Sequence, residues 1–376
     1  TSTGDTTICE EASANVSGAA ATNGSIKWSH NGTGAGSLAG VTTLTPTYTA
    51  ASGDRGNTVV LTMTVASNNA CTSSANGIVT ATYSVTVDPL PTALSGNSAN
   101  ICEDGSYPLQ PGDATALDGI ISWGENGLGV LTNTTTITPS YSAAPGDGGN
   151  IVPLTLSVTS TNACVSSPQA TQTAVFNINV RPLLTGVLQG SAARVCEGSP
   201  AQMLITGGNS QGATPYTFTY TLNGGAPQSV TTLGTNTKAL IGVNTSDAND
   251  SIQAFLLTTV ADGNCTTSVS YADTIRINPL PTASIVGENE VCVDSTAGNI
   301  VFKGANGRSP YWITYSLNGD VASEVRLDPA GDSIAYPVLS NNAGTFVYKL
   351  ESIRDANGCS QNQSGTATYK VHANPI

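Results

Sequence analysis

The chain has 376 residues, of which 39% are apolar and only 10% charged, with 40 glycines, eight cysteines, two histidines and a formal net charge of −13. That acidity disfavours nucleic acid or an anionic membrane surface as a direct partner. The apolar fraction and its strict alternation argue against a disordered chain. Paired cysteines without a CxxC spacing point to an oxidising, extracellular setting rather than to zinc.

In chain order, the first mark is Cys9, inside Ile8-Cys-Glu-Glu11. The same kind of segment returns around Cys102, Cys196 and Cys292, at intervals of 93, 94 and 96 residues. A second cysteine (Cys71, Cys164, Cys265, Cys359) follows each first one by 62 to 69 residues. Junctions rich in proline separate the copies: Asp88-Pro-Leu-Pro-Thr-Ala93, Arg181-Pro-Leu-Leu-Thr185 and Asn278-Pro-Leu-Pro-Thr-Ala283. Period-two alternation predicts strands over 58–65, 78–87 and 216–222, each with one apolar side and one side of threonine or serine. Asn223-Gly224, Asn318-Gly319 and Asn357-Gly358 supply turn signals between such runs. No stretch has the period of an amphipathic helix, and none is apolar for long enough to span a membrane.

The fold class that follows is all-β: four tandem immunoglobulin-like β-sandwich domains in an elongated array, one disulfide per domain. The expected boundaries are 1–90, 91–182, 183–280 and 281–376. The first two (type A) share a tryptophan, Trp28 or Trp123, expected in the core, and a corner, Tyr48 to Asn57 or Tyr141 to Asn150. The last two (type B) share Pro-Tyr-x-x-x-Tyr-x-Leu-Asn-Gly and a late Asp-containing turn, 261–265 or 355–359. The closing run Val371-His-Ala-Asn-Pro-Ile376 matches the opening of a junction, so the chain reads as a segment of a longer array.

The cysteines are expected to pair within each copy, as Cys9–Cys71, Cys102–Cys164, Cys196–Cys265 and Cys292–Cys359. In a sandwich of this topology the start of each copy and its last hairpin turn are expected to share one pole, beside the preceding domain. Closing loops of this size contributes about 4 kcal/mol in the chain-entropy picture.

Little in the sequence suggests catalysis. His30 and His372 have no repeated partner, and there is no GxSxG, HExxH or P-loop. The expectation is a protein that is not an enzyme and has no cofactor. Calcium is the strongest metal candidate, with Asp54, Asn57, Asp147 and Asn150 offering oxygens in two Gly-Asp-x-Gly-Asn loops. The competing reading, that the aspartates cap their turns, is preferred because neither loop supplies six ligands. Alternation places Trp312 on the face opposite Tyr311, Ile313, Tyr315 and Leu317, where an aromatic could contact a sugar or a protein.

The junctions containing Pro-Leu-Pro-Thr-Ala, the segment Tyr220-Thr-Leu-Asn-Gly-Gly225, the turn Asp355-Ala-Asn-Gly-Cys359 and the run Tyr141 to Asn150 resemble tandem Ig-like or PKD-like extracellular repeats. Such repeats belong to large Bacteroidota cell-surface proteins, including gliding-motility adhesins and other cargo of type IX secretion. The resemblance covers all four copies and implies an extracellular, cell-surface location. It also implies a stalk segment of a secreted adhesin or filament, projecting a binding tip or mediating attachment. Partners are then neighbouring repeats of the same long chain, with surface polysaccharide or a host or substratum protein as further candidates. Thr6, Ser251, Thr274, Ser295 and Ser333 match the short O-glycosylation sequence of secreted proteins of that phylum. Two rival readings are a direct carbohydrate- or protein-binding module and an accessory stalk of a secreted multidomain enzyme.

Overall fold

The computed structural model describes residues 4–209, 212–246, 251–287, 289–296, 298–328 and 331–375. Among them the regular structure is strands with a few short 3-10 turns and no α-helix. Residue contacts divide the chain into two compact units, Thr1–Leu183 and Leu184–Ile376. Ile376, the last residue of the junction-like closing run, lies outside the described residues.

In the first unit, the strand predicted over 58–65 extends over Thr58–Ser67 and buries every second side chain, Val59, Leu61, Met63 and Val65. It pairs antiparallel with Ile78–Asp88 and Gly24–His30, and Asp5–Cys9 completes a four-stranded sheet. A three-stranded sheet of Ser13–Asn15, Thr47–Thr49 and Ser37–Ala39 belongs to the same stretch of chain. The core takes Trp28, Tyr48, Leu61, Met63 and Val85. The second stretch repeats the plan, with a sheet ordered Ile120–Glu125, Ile151–Thr159, Thr171–Arg181 and Ser98–Cys102. Its core takes Trp123, Tyr141, Leu154, Phe176 and Ile178. Both tryptophans are buried, and each indole N–H donates to a threonine carbonyl, of Thr43 or Thr136, at 2.9 Å.

In the second unit the longer sheet gains a strand at its edge. Gln228–Thr231 pairs with Thr217–Leu222, and Ser323–Leu327 pairs with Tyr311–Leu317. The turns Asn223-Gly224 and Asn318-Gly319 lead into these added strands. Both residues of each pair have positive φ, the backbone a tight hairpin requires and that Asn and Gly tolerate best.

One pairing decides where the cysteines go. In each copy the strand that ends in the first cysteine runs parallel to the last strand of the same copy, whereas the other neighbours in these sheets are antiparallel. Cys9 lies opposite Asp88, Cys102 opposite Arg181, Cys196 opposite Asn278 and Cys292 opposite His372. The first cysteine of a copy therefore sits where that copy ends, beside the residue at which the chain leaves the sheet.

Candidate functional site: the cysteine-bridged junctions

The second cysteine occupies the turn that opens the last strand or hairpin, at the opposite pole. In the first copy, Cys9 stands level with Asp88, and Cys71 precedes Ile78 at the far end of Ile78–Asp88. Ten residues of strand at about 3.3 Å each separate the two levels by roughly 33 Å. A disulfide tolerates Cα atoms no more than about 7 Å apart. Pairing within a copy is thus excluded by the parallel strand.

The observed bridges join successive copies. Cys9 bonds Cys164 with Cα atoms 4.6 Å apart, and Cys196 bonds Cys359 with Cα atoms 5.5 Å apart. Cys102 and Cys265 are disulfide-bonded as well. Cys71 and Cys292 are free and exposed. The expectation of one disulfide inside each domain, with Cys9–Cys71, Cys102–Cys164, Cys196–Cys265 and Cys292–Cys359, is corrected by these pairings. The first cysteine lies not at the pole where its copy begins but level with the end of that copy. A cysteine-bearing strand parallel to the last strand carries it to the other end.

Local chemistry presents the second cysteine in two ways. In the first unit a 3-10 turn, Ala70–Ser73 or Ala163–Ser166, is capped by the preceding asparagine. The Asn69 and Asn162 side-chain oxygens accept from the Cys71 and Cys164 N–H, each at 2.9 Å. Ser67 and Ser160 hydroxyls donate to those same oxygens. In the second unit a carboxylate does the work. Asp355, fully buried, accepts from the N–H groups of Asn357 and Cys359 through Oδ1 and from Arg308 N–H through Oδ2, each at 2.9 Å. Asp262 does the same for Asn264, Cys265 and Ala213.

Around the Cys9–Cys164 bridge the two copies interlock. Glu10 N–H donates to the Asp88 carbonyl, and the Glu10 carboxylate accepts from Leu90 N–H. Asn162 Nδ2 donates to the Pro89 carbonyl and Ala163 N–H donates to the Asp88 carboxylate, both at 2.9 Å. Arg55 donates to the Leu90 carbonyl at the end of its own copy and reaches across to the Thr92 hydroxyl and the Asp118 carboxylate. Around Cys196–Cys359, Gln361 donates to the Pro281 carbonyl and Gln363 accepts from Ala283 N–H.

The calcium-candidate loops have another occupation. Asp54 is 2% exposed and its Oδ2 accepts from the Tyr48 hydroxyl at 2.7 Å and Ala51 N–H at 3.0 Å. Asp147 repeats this with Tyr141 and Ala144, and its Oδ1 accepts from Leu128 N–H. Burial pushes the Asp54 carboxyl up, but hydrogen bonds from Ala51, Tyr48 and Gly34 outweigh it and hold the group below the usual range. Asp147 is depressed for the same reasons, against its own burial. Burial first, then the adjacent carboxylate, raises the Tyr48 and Tyr141 hydroxyls. Asn57 donates to the Arg55 carbonyl and Asn150 to the Gly146 carbonyl, closing each loop on itself. Among the described residues no group of three or more His, Cys, Asp or Glu side chains could hold a metal.

Trp312 is half-buried on the face opposite Tyr311, Ile313 and Tyr315, which are buried. Its ring is attended by the guanidinium groups of Arg354 at 4.3 Å and Arg326 at 5.6 Å, from the two flanking strands. The sequence offered no hint of this stack, because both arginines are distant in the chain. His30 is half-buried beside the Tyr48 ring, and exposed His372 meets Glu290 at 2.7 Å. Of the hydroxyls matching the glycosylation sequence, Thr274, Ser295 and Ser333 are exposed, while Thr6 and Ser251 are half-buried. Asp250, which precedes Ser251, lies outside the described residues.

The chain is thus an all-β assembly of tandem immunoglobulin-like sandwiches with disulfides. No helix among the described residues is long and apolar enough to cross a membrane. No protein-family model matches the chain, and no curated protein matches it. It is similar to solved structures of tandem domains. One is an I-band fragment of titin (12% identity, TM-score 0.38, covering 76% of this chain and 99% of that one). Another is the N-terminal eight Ig domains of the Down Syndrome Cell Adhesion Molecule (8% identity, TM-score 0.39, covering 100% and 49%). A third is a structure of a 1.5-MDa bacterial ice-binding adhesin (18% identity, TM-score 0.30, covering 85% and 92%).

Proposed function

We propose that this chain is a non-enzymatic, extracellular spacer made of four immunoglobulin-like domains, 1–90, 91–182, 183–280 and 281–376, whose junctions are covalently reinforced. The resemblance to tandem repeats of large Bacteroidota surface proteins, exported by type IX secretion and including gliding adhesins, supports a stalk that projects a binding region from a cell surface. The observation that carries the reading is the Cys9–Cys164 bridge, repeated in kind by Cys196–Cys359. A bridge inside a domain stabilises that domain alone, whereas these bridges transmit load from one copy to the next. Each encloses a large loop, with sequence separations of 155 and 163. Loops of that size constrain the unfolded chain by about 5 kcal/mol in the chain-entropy picture. Asp54 and Asp147 serve this reading as turn caps that hold the buried tyrosines, and no calcium is invoked.

Single-molecule pulling on the full chain tests the proposal. With the bridges intact, the residues between bonded cysteines are shielded from extension. Reduction should release about 540 Å of hidden length from the first unit, at roughly 3.5 Å for each of its 155 enclosed residue steps. Equal contour lengths before and after reduction would remove the load-bearing role.

A further inference from the structure

The bridges obey a rule of position: the first cysteine of one copy bonds the second cysteine of the copy that follows. The first unit and the second unit each contain one complete instance, Cys9–Cys164 and Cys196–Cys359. Under that rule Cys71, a second cysteine, requires a copy before it, and Cys292, a first cysteine, requires a copy after it. These are the two cysteines that are free and exposed.

The turn around Cys71 is already built for a partner. Its asparagine cap, its 3-10 turn and its serine hydroxyl match those around Cys164, distance for distance to about 0.1 Å. The two turns differ in what covers them. Cys164 is fully buried, and next to it Asn162 Nδ2 and Ala163 N–H are spent on the Pro89 carbonyl and the Asp88 carboxylate of the preceding copy. Among the described residues the counterparts Asn69 Nδ2 and Ala70 N–H donate to nothing, and Cys71 stands exposed beside them. At the other end, Cys292 has the setting of Cys9. It ends a strand parallel to the last strand of its copy, opposite His372, and the next N–H, of Val293, donates to the His372 carbonyl at 2.9 Å, as Glu10 does to Asp88.

We propose that Cys71 and Cys292 are the two open halves of one further junction of the same type. Each takes a cysteine of the complementary position on another immunoglobulin-like repeat of this kind. A second copy of this chain carries both positions, so Cys292 of one copy can join Cys71 of the next, head to tail. In the bonding step the two thiols lose two electrons and two protons, an Sγ–Sγ bond forms, and an external disulfide accepts both and leaves as two thiols. The inference rests on junction geometry and does not depend on a spacer role.

The test uses the full chain, with its native bridges intact, in a glutathione redox buffer containing excess oxidised glutathione. Non-reducing electrophoresis should show a ladder of dimers, trimers and longer species that collapses with reductant, and peptide mapping should find Cys71 linked to Cys292. Neither Cys71→Ser nor Cys292→Ser alone should extend the ladder. Mixed together, the two variants should give one dimer, formed at least tenfold faster than any dimer of either variant alone. Asn69→Asp, which keeps the cap oxygen but removes the Nδ2 donor, should slow joining several-fold. Symmetric Cys71–Cys71 or Cys292–Cys292 links in equal yield, or no linked species at all, would overturn the proposal. Either outcome would leave the pulling experiment on the internal bridges unaffected.

Discussion

In the first unit the turn carrying Cys164 is a 3-10 turn closed by a neutral asparagine and a serine hydroxyl, whereas in the second unit Cys359 closes a hairpin wrapped around the buried carboxylate of Asp355. The carboxylate also grips Arg308 N–H, in a loop far away in sequence, so it ties the cysteine turn to the body of its domain. The asparagine instead spends its spare amide on the neighbouring copy, at the Pro89 carbonyl. Both arrangements deliver a cysteine to a junction. One does so by internal rigidity and the other by contact with the preceding copy. The lesson is that the position of the sulfur is what the two types of domain share, while the turn chemistry that sets it is free to differ.

The largest expected effect comes from the carboxylate. Asp355→Ala leaves three backbone N–H groups without their acceptor in a buried site and should cost the second unit about 3 kcal/mol or more in denaturant unfolding. Asp355→Asn keeps an acceptor and should cost clearly less. Equal losses for the two variants would mean that charge, rather than hydrogen bonding, holds the turn.

Acid should separate the units in the other direction. Asp54 and Asp147 have depressed pKa values in the folded first unit. Their contribution is fully present above the ordinary carboxylate pKa of about 4 and is lost as pH falls through the lower folded values. Hydrogen exchange of the full chain should therefore show peptides covering 47–61 and 140–154 losing protection in acid before those of the second unit's core. Protection lost first around Ile313 and Leu350 would reverse the assignment.

The smallest effect belongs to Arg55. Its side chain is more than one-third exposed, so Arg55→Ala should lower the stability of the first unit by less than about 1 kcal/mol despite its three junction contacts. A loss above about 2 kcal/mol would show that polar contacts, and not only the bridge, hold the two copies together.

Much of the molecule was legible in its residues. Alternation in Thr58–Ser67 and Ile78–Asp88 predicts strands because a pleated chain shows its side chains to two faces in turn. The Asn-Gly pairs predict tight turns because both residues tolerate positive φ. The recurrence of cysteines, junctions and corners separates type A from type B. The tyrosine–aspartate pairs were half-legible. The sequence aligns Tyr48 with Tyr141 and Asp54 with Asp147, but a hydrogen bond over six residues depends on how the corner folds back.

The cysteine connectivity was another matter. Period-two alternation states that a segment is a strand and which side chains share a face, but it carries nothing about which strand lies alongside or in which direction. Both the expected pairing and the observed one fit the spacing of the eight cysteines. Only the parallel alignment of Asp5–Cys9 with Ile78–Asp88 places Cys9 at the far pole, out of reach of Cys71 and against the next copy. Local chemistry thus determined the strands, turns and repeats, because those depend on neighbours in sequence. The tertiary structure alone decided what the cysteines join, because that depends on which ends of which strands meet.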